Sequence, residues 1–519
     1  MMNRLRARIV ALALLALACD SVLAASDRHV VLISDLHVGA GKDADGRWRR
    51  IEDFRWHDDF EAFLDRIAAQ GQGRTDLVLA GDVFELWQSP AMVCSNDLAK
   101  PGCEIPDCHE DDTNLGCTEP EAQARLQHIL RQHPGFVEAI RRFAARDDNR
   151  VHFIPGNHDA ALLFAGVRAH LLDQFRGTKV AVHEQGYWLS ADGQIYADHG
   201  HQFDEVNAFG GWPSPFVERD GTTYLRKPWG ENMVQQFYNR YEHLLPIVDN
   251  LSDEQAGVHF AVKHVSVLRS AAAVGRFLRF FVFQQSLRQA WMALGDGSKV
   301  EWDLDEVRKK PVGFFLDVLA GDPDLSAAAT QAQREGGIVF DRTQLTREEL
   351  TALCAAKDNL ATADKCPRRD KNLSALVKGT VLTDDQRKAA YLREALKAAA
   401  GQDGAIAAVY VHGHTHRAEG PAKLKLGDMR FGPAEVVVVN TGAFQRVASS
   451  AQLEALLEPT DKAKAKPALD LVPEDLPACY TYASIEPYKS KPQPQLRRWL
   501  RQSDGRYVTA PGRCLDPAP

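Results

Sequence analysis

An α/β fold is what this chain predicts, on two observations. Short β-branched runs repeatedly end in glycine and polar residues, and segments with helical spacing lie between them. The first run, "RHVVLISDLH" at 28–37, is followed by Gly39 and Gly41, so it reads as a buried strand with a functional loop at its carboxyl end. "TDLVLAGDVFELW" and "NRVHFIPGNHD" repeat that grammar, with the helical patterns "HDDFEAFLDRIAAQ" and "FVEAIRRFAAR" placed between them. Alternation of this kind collects ligands at the carboxyl ends of strands.

Further strands are expected at "KVAVHEQGYWLS" and "QIYADHGHQFD", and, much later, at "IAAVYVHGHTH" and "AEVVVVNTGAF". The interval between differs in character: it is Phe- and Leu-rich and helical in period, with Arg269, Arg276, Arg279 and Arg288 interspersed. It reads as a helical cap with arginine heads turned outward, and a lipid-facing surface is the rival account. The chain is thus expected to divide into an export signal at 1–24, a core at 25–215 with a cysteine-rich loop at 89–119, and a mainly helical insertion at 216–400. The second part of the core follows at 401–458, then a Lys, Ala and Pro linker at 459–477 and closing strands at 478–519.

The amino end carries Arg4, Arg6 and Arg8 before an apolar stretch and then Val22-Leu23-Ala24, the grammar of a cleaved signal peptide. Acylation of Cys19 as a lipoprotein is the weaker reading, because the usual upstream Leu is missing. Either way a periplasmic or secreted location is expected. Losing three Arg and one Asp with the first 24 residues takes the net charge from −8 to −10, which disfavours general nucleic-acid binding. The other eight cysteines fall into local sets: Cys94, Cys103, Cys108 and Cys117; Cys354 and Cys366; Cys479 and Cys514. None makes a CxxC pair, so disulfides are a better account than structural zinc, with the pairing inside the set of four left open.

Five strand-end loops carry residues that packing does not explain. Asp35 and His37 in "SDLH" are two apart, as are His414 and His416 in "GHTH"; strand alternation would turn each pair to one side. "AGDVFE" adds Asp82, "GNHD" adds Asn157, His158 and Asp159, and "ADHGHQFD" adds His199. His412 is expected to stand outside the ligand set, and His201 is divided between substrate contact and spectator. Asp35, His37, Asp82, Asn157, His199, His414 and His416 make seven mixed nitrogen and oxygen donors. That number exceeds one tetrahedral zinc and suits two adjacent ions sharing a carboxylate.

The ordered set DxH, GD, GNHD, His-Gly and GHxH resembles the calcineurin-like metallophosphoesterase family over about residues 28–210 and 400–445. The resemblance implies a central β-sandwich flanked by helices, with a dinuclear site at its rim. It implies that Asp35, His37 and His416 bind one ion, that Asn157, His199 and His414 bind the other, and that Asp82 bridges them. His158 would then contact the substrate or protonate the leaving group, with Asp159 orienting it. The implied chemistry is attack on a phosphate ester by a hydroxide held between two divalent ions, with manganese, iron and zinc all compatible with such donors.

Within the family, Glu85 stands where purple acid phosphatases need tyrosine, whereas "GDVFELW" partly resembles the UDP-2,3-diacylglucosamine hydrolases. Those enzymes are compact and usually carry Arg where His158 stands. The expected substrate is therefore a phosphorylated small molecule or lipid. Two rivals are a lipid-headgroup or lipid-linked pyrophosphate hydrolase, with the insertion as apolar cap and peripheral membrane contact, and a non-catalytic binding protein on the same fold.

Overall fold

The structure is a computed structural model that describes residues 26–88, 105–250, 384–400, 407–426, 435–457 and 467–515, apart from scattered positions within them. The signal segment with Cys19, the arginine-dotted insertion, and Cys94, Cys103, Cys354 and Cys366 lie outside the described residues.

Strand β1 (His29–Ile33) is buried at every position, as its unbroken apolar run requires when both faces are covered. Helix α1 (His57–Gln70) follows and leads into β2 (Thr75–Ala80). After the cysteine loop come β3 (Leu115–Thr118) and α2 (Glu119–Gln132), whose start is fixed by Thr118 N donating to Glu121 Oε2 at 2.7 Å. Helix α3 (Pro134–Ala145) opens on proline, where a missing N–H costs nothing, and delivers the chain to β4 (Arg150–Ile154). Helix α4 (Ala165–Asp173) and β5 (Val180–Val182) complete the first half.

The second half begins with β6 (Tyr187–Leu189) and β7 (Ile195–Asp198), then a hairpin of β8 (Phe216–Arg219) and β9 (Thr222–Arg226), and α5 (Trp229–Gln236). It resumes with α6 (Asp384–Ala400), β10 (Val409–His412), β11 (Glu419–Lys425), β12 (Glu435–Asn440) and α7 (Ser450–Leu457). The tail forms β13 (Cys479–Ile485), β14 (Pro494–Arg501) and β15 (Tyr507–Pro511).

These strands make a seven-stranded sheet in the order β15-β14-β13-β1-β2-β4-β5 and a five-stranded sheet in the order β11-β12-β10-β7-β6. The two stack face to face. Val30, Leu32, Val78, Ala80 and Ile154 of the first sheet share one apolar core with Trp188, Ile195, Ala197, Val409, Val411 and Val439 of the second. On the outer face of the first sheet, Val31, Ile33, Leu77, Leu79 and Phe153 pack against α1 to α4. On the outer face of the second, Tyr196, Tyr410 and Val436 pack against Leu392 and Leu396 of α6. Helix, sheet, sheet, helix is the layering, and the expected α/β sandwich is what forms.

Parallel pairing places functional loops together. β1, β2 and β4 run parallel in one sheet and β7, β10 and β12 in the other, so six carboxyl ends open toward one rim. Three details differ from the sequence expectation. "KVAVHEQGYWLS" is two strands in different sheets, because Gly186 at φ 77° turns the chain between β5 and β6. The interval from 216 opens on the β8-β9 hairpin, which pairs with β3 of the cysteine loop, and the tail contributes three strands, not two. Disulfides join Cys108 to Cys117 and Cys479 to Cys514, the second stapling the tail as expected. Among the described residues no helix is long and apolar enough to cross a membrane.

Candidate metal centre

Six of the seven donors meet at that rim, with Asn157 between Gly156 and His158, which both lie against Asp82, but by a different backbone route from the one that strand alternation suggests. β1 stops at Ile33 and β10 at His412, so neither pair of ligands lies in extended chain. Asp35, His37, Asp82, His414 and His416 instead have φ of 53°, 48°, 50°, 76° and 54°. Left-handed backbone is costly for residues with a Cβ, and five such positions in one place mark a site that the surrounding fold holds in tension. The glycines beside the ligands have a steric reason. A Cβ on Gly156 would stand 2.2 Å from Asp82 Oδ1, and one on Gly413 2.3 Å from Asp35 Oδ2.

Three groups of donors emerge among the described residues: the clusters of Asp35, His37 and His416 and of Asp82, His199 and His414, and a third of His37, Glu85 and His158 that hydrogen bonds to Glu85 hold together. In the first, His37 Nε2 faces His416 Nε2 at 3.2 Å, and His416 Nε2 lies 3.5 Å from Asp35 Oδ1. In the second, His199 Nε2 is 2.9 Å from Asp82 Oδ2, yet that nitrogen has no aligned hydrogen bond. Asn157 Oδ1 and His414 Nδ1 are likewise buried without a partner. Orphaned buried polar atoms are costly, and Asn157 Oδ1 and His414 Nδ1 are atoms that a bound cation would satisfy. Asp82 has one oxygen toward His199 and the other accepting from His158 N at 2.8 Å, and the two clusters adjoin where His199 Nε2 lies 3.9 Å from Asp35 Oδ1.

Outside the ligands, three groups choose which ring nitrogen faces inward. His199 Nδ1 donates to Ala80 O at 2.9 Å, His37 Nδ1 to Glu85 Oε2 at 2.8 Å and His414 Nε2 to Asp204 Oδ2 at 3.0 Å. Burial opposes charge on His37, but Glu85, Asp82 and Asp35 outweigh it and push the imidazole up to about 10. Burial likewise opposes the Glu85 carboxylate and is overcome by His158 and His37, which bring it to about 2.

His158 lies against this centre with its ring stacked on Trp87 at 3.8 Å and its Nδ1 donating to Glu85 Oε2 at 2.6 Å. Burial disfavours its charge, and the Glu85 and Asp82 carboxylates more than compensate, raising its pKa. The orienting partner of His158 is therefore Glu85. Asp159, expected in that role, has its oxygens on Gly156 N at 2.6 Å, Val83 N at 2.8 Å and Phe84 N at 3.3 Å, where it locks the GNHD loop onto the Asp82 loop. Three backbone N–H groups thus occupy both of its oxygens, and none is left for the ring. His412 is stacked on Tyr410 beneath the site and belongs to neither cluster. His201 is buried with neither ring nitrogen partnered, edge-on to Trp212 at 4.4 Å. Glu85, Trp87 and Asp204 are the residues that sequence reasoning did not assign; the two carboxylates had a signal, standing three residues beyond Asp82 and five beyond His199, and Trp87 had none of that kind.

Residues 28–271 match the family model of calcineurin-like phosphoesterases. The match contains Asp35, His37, Asp82, Asn157, His158 and His199, while His414 and His416 lie beyond it and are brought to the same rim by the fold. Searches of curated proteins and of solved structures found no match.

Proposed function

We propose that this chain is an exported phosphoester hydrolase that works with two divalent ions. The observation that carries the reading is the gathering of donors at one rim, Asp82, His199 and His414 in one group and Asp35, His37 and His416 in another, with Asn157 Oδ1 and His414 Nδ1 buried without a hydrogen bond. The residues present fit such a pair. Asp35, His37 and His416 would hold one ion, Asn157, His199 and His414 the second, and Asp82 both. Bound there, the ions would supply a nucleophile near neutral pH and neutralise charge on the phosphoryl oxygens, with manganese, iron or zinc chemically suited.

The chain's own residues account for the rest. The rigid strand ends fix the donors, so that a phosphate ester is oriented with little reorganisation. His158, its pKa raised by Glu85 and its ring stacked on Trp87, is placed to give a proton to the departing oxygen, help commonly worth about 10²- to 10⁴-fold. A binding protein that had abandoned turnover would not need this second arrangement, which favours the enzyme reading. Export is supported by the amino-terminal pattern and by paired cysteines on both sides of the core.

The test is reconstitution. Chelator-treated protein is loaded with manganese, iron or zinc and assayed on phosphate monoesters, diesters, nucleotides and phospholipids, with metal content measured alongside. Two ions per chain and restored hydrolysis of at least one class are expected, and both are expected to fail in Asp82→Ala. Absence of turnover with every metal and class would remove the enzyme reading.

A further inference from the structure

We propose that Asp204 is a positioning residue for His414, fixing which ring nitrogen faces the ion and tying that ligand to helix α5. The inference rests on the two-ion reading and adds a residue outside the motif set. A neutral imidazole carries one N–H and one lone pair, and a carboxylate only accepts. Asp204 Oδ2, 3.0 Å from His414 Nε2, therefore draws the proton to Nε2. That leaves the lone pair on Nδ1, the buried nitrogen without a partner, in the residue grouped with Asp82 and His199.

Asp204 is itself held from two directions. Val206 N donates to its Oδ1 at 3.0 Å, and Asn207 Nδ2 donates to its Oδ2 at 2.8 Å. The turn that carries these groups is clasped by the start of α5. Gly230 N donates to Val206 O at 3.0 Å, and Asn207 Oδ1 occupies a point 1.9 Å from where a Cβ on Gly230 would lie. Only glycine lets the helix approach so closely. The path from His414 through Asp204 and Asn207 to Gly230 thus runs through direct contacts, and α5 sets the position of the carboxylate that aligns the ligand.

Metal titration separates this role from a merely structural one. Chelated protein is titrated calorimetrically with zinc, and metal-free melting is recorded for each variant. Wild type is expected to take up two ions. Asp204→Asn, whose amide can present an N–H to His414 Nε2 and favour the wrong tautomer, is expected to weaken one of the two by about 10- to 100-fold and the other by less than threefold. Its metal-free melting should match wild type, and Asp204→Glu should recover much of the affinity. Gly230→Ala should weaken the same ion.

Unchanged affinities in Asp204→Asn, or a uniform loss at both ions accompanied by lower metal-free melting, would overturn the assignment. Uptake of fewer than two ions by wild type would overturn the two-ion reading itself, and with it the basis of this one.

Discussion

His158 Nδ1 donates to Glu85 Oε2 at 2.6 Å, and the same oxygen accepts from His37 Nδ1 at 2.8 Å, so one carboxylate serves both the ligand set and the proposed acid. Glu85 Oε1 in turn accepts from Trp87 N at 2.9 Å, which fixes the carboxylate and places the indole under His158. Glu85→Gln keeps the shape and removes the charge. The expected result is a fall in kcat of about 10- to 100-fold, larger for alkyl phosphates than for nitrophenyl phosphates, because a good leaving group needs no proton. Steady-state kinetics on the two substrate types checks it; an equal loss on both would place Glu85 with the ions alone.

Gly413 supports a second expectation. A methyl there would meet Ser34 Oγ at 2.1 Å and Asp35 Oδ2 at 2.3 Å, and both atoms are buried. Gly413→Ala must therefore displace Asp35 or the strand end that bears it. Overpacking of this kind costs about 1–3 kcal/mol. Elemental analysis should show loss of the ion held by Asp35, and denaturant unfolding should show the destabilisation.

Much of this was legible in the chain because strand-end chemistry is local. Asp35, His37, Asp82, Asn157, His199, His414 and His416 announce themselves by type and spacing, and the unbroken apolar runs of β1 and β2 announce burial on both faces. What was not legible depends on through-space contacts or backbone signs. Nothing in "GNHD" says that Asp159 turns to the backbone of Val83 while Glu85, over seventy residues earlier, takes His158. The β8-β9 hairpin has a local signal in the sequence. Asp220-Gly221, at φ 51° and 76°, is the Asp-Gly turn that joins adjacent strands with the correct twist. The tail strands were seen, but their place beside β1 follows from pairing that no single segment contains.

Away from the centre, His57 and His183 give the molecule an acid-sensitive stability. Burial, reinforced by His133 and Lys42 and opposed by Glu52 and Asp58, lowers His57 to about 4; burial, reinforced by His152, lowers His183 to about 4. The folded state thus prefers both rings neutral, whereas the unfolded chain takes up protons near 6.5. The contribution of these two rings is full above 6.5 and falls as pH drops from there toward 4, the direction in which the unfolded state binds more protons. The slope is on the order of 1 kcal/mol per pH unit for each ring, reduced by its partial exposure. Denaturant midpoints between pH 7 and pH 5 check it, and His57→Gln with His183→Gln should flatten the curve.

Asp59 fastens the tail to the body of the domain. This buried carboxylate in α1 accepts from the hydroxyls of Tyr480 in β13 and Tyr507 in β15, with Arg446 Nη2 at 3.3 Å, while its backbone carbonyl accepts from Trp499 Nε1 of β14 at 3.1 Å. Arg446 also lies 3.5 Å over the Trp56 ring, so its guanidinium is committed on two sides. Removing the carboxylate takes the acceptor from two phenols and the anionic partner from Arg446, which keeps its bonds to the Tyr480 hydroxyl and to the carbonyls of Glu474 and Leu476. Breaking a buried charged pair from one side typically costs about 3–5 kcal/mol, whereas losing one neutral hydroxyl bond costs about 1 kcal/mol. Asp59→Ala should therefore destabilise several-fold more than Tyr480→Phe. Because none of these side chains belongs to either donor cluster, both variants should still bind the wild-type number of metal ions. Denaturant unfolding paired with elemental analysis reads the two quantities separately. Metal lost in step with stability in Tyr480→Phe would show that the tail, through β13 and its neighbour β1, also sets the geometry of the Asp35 loop.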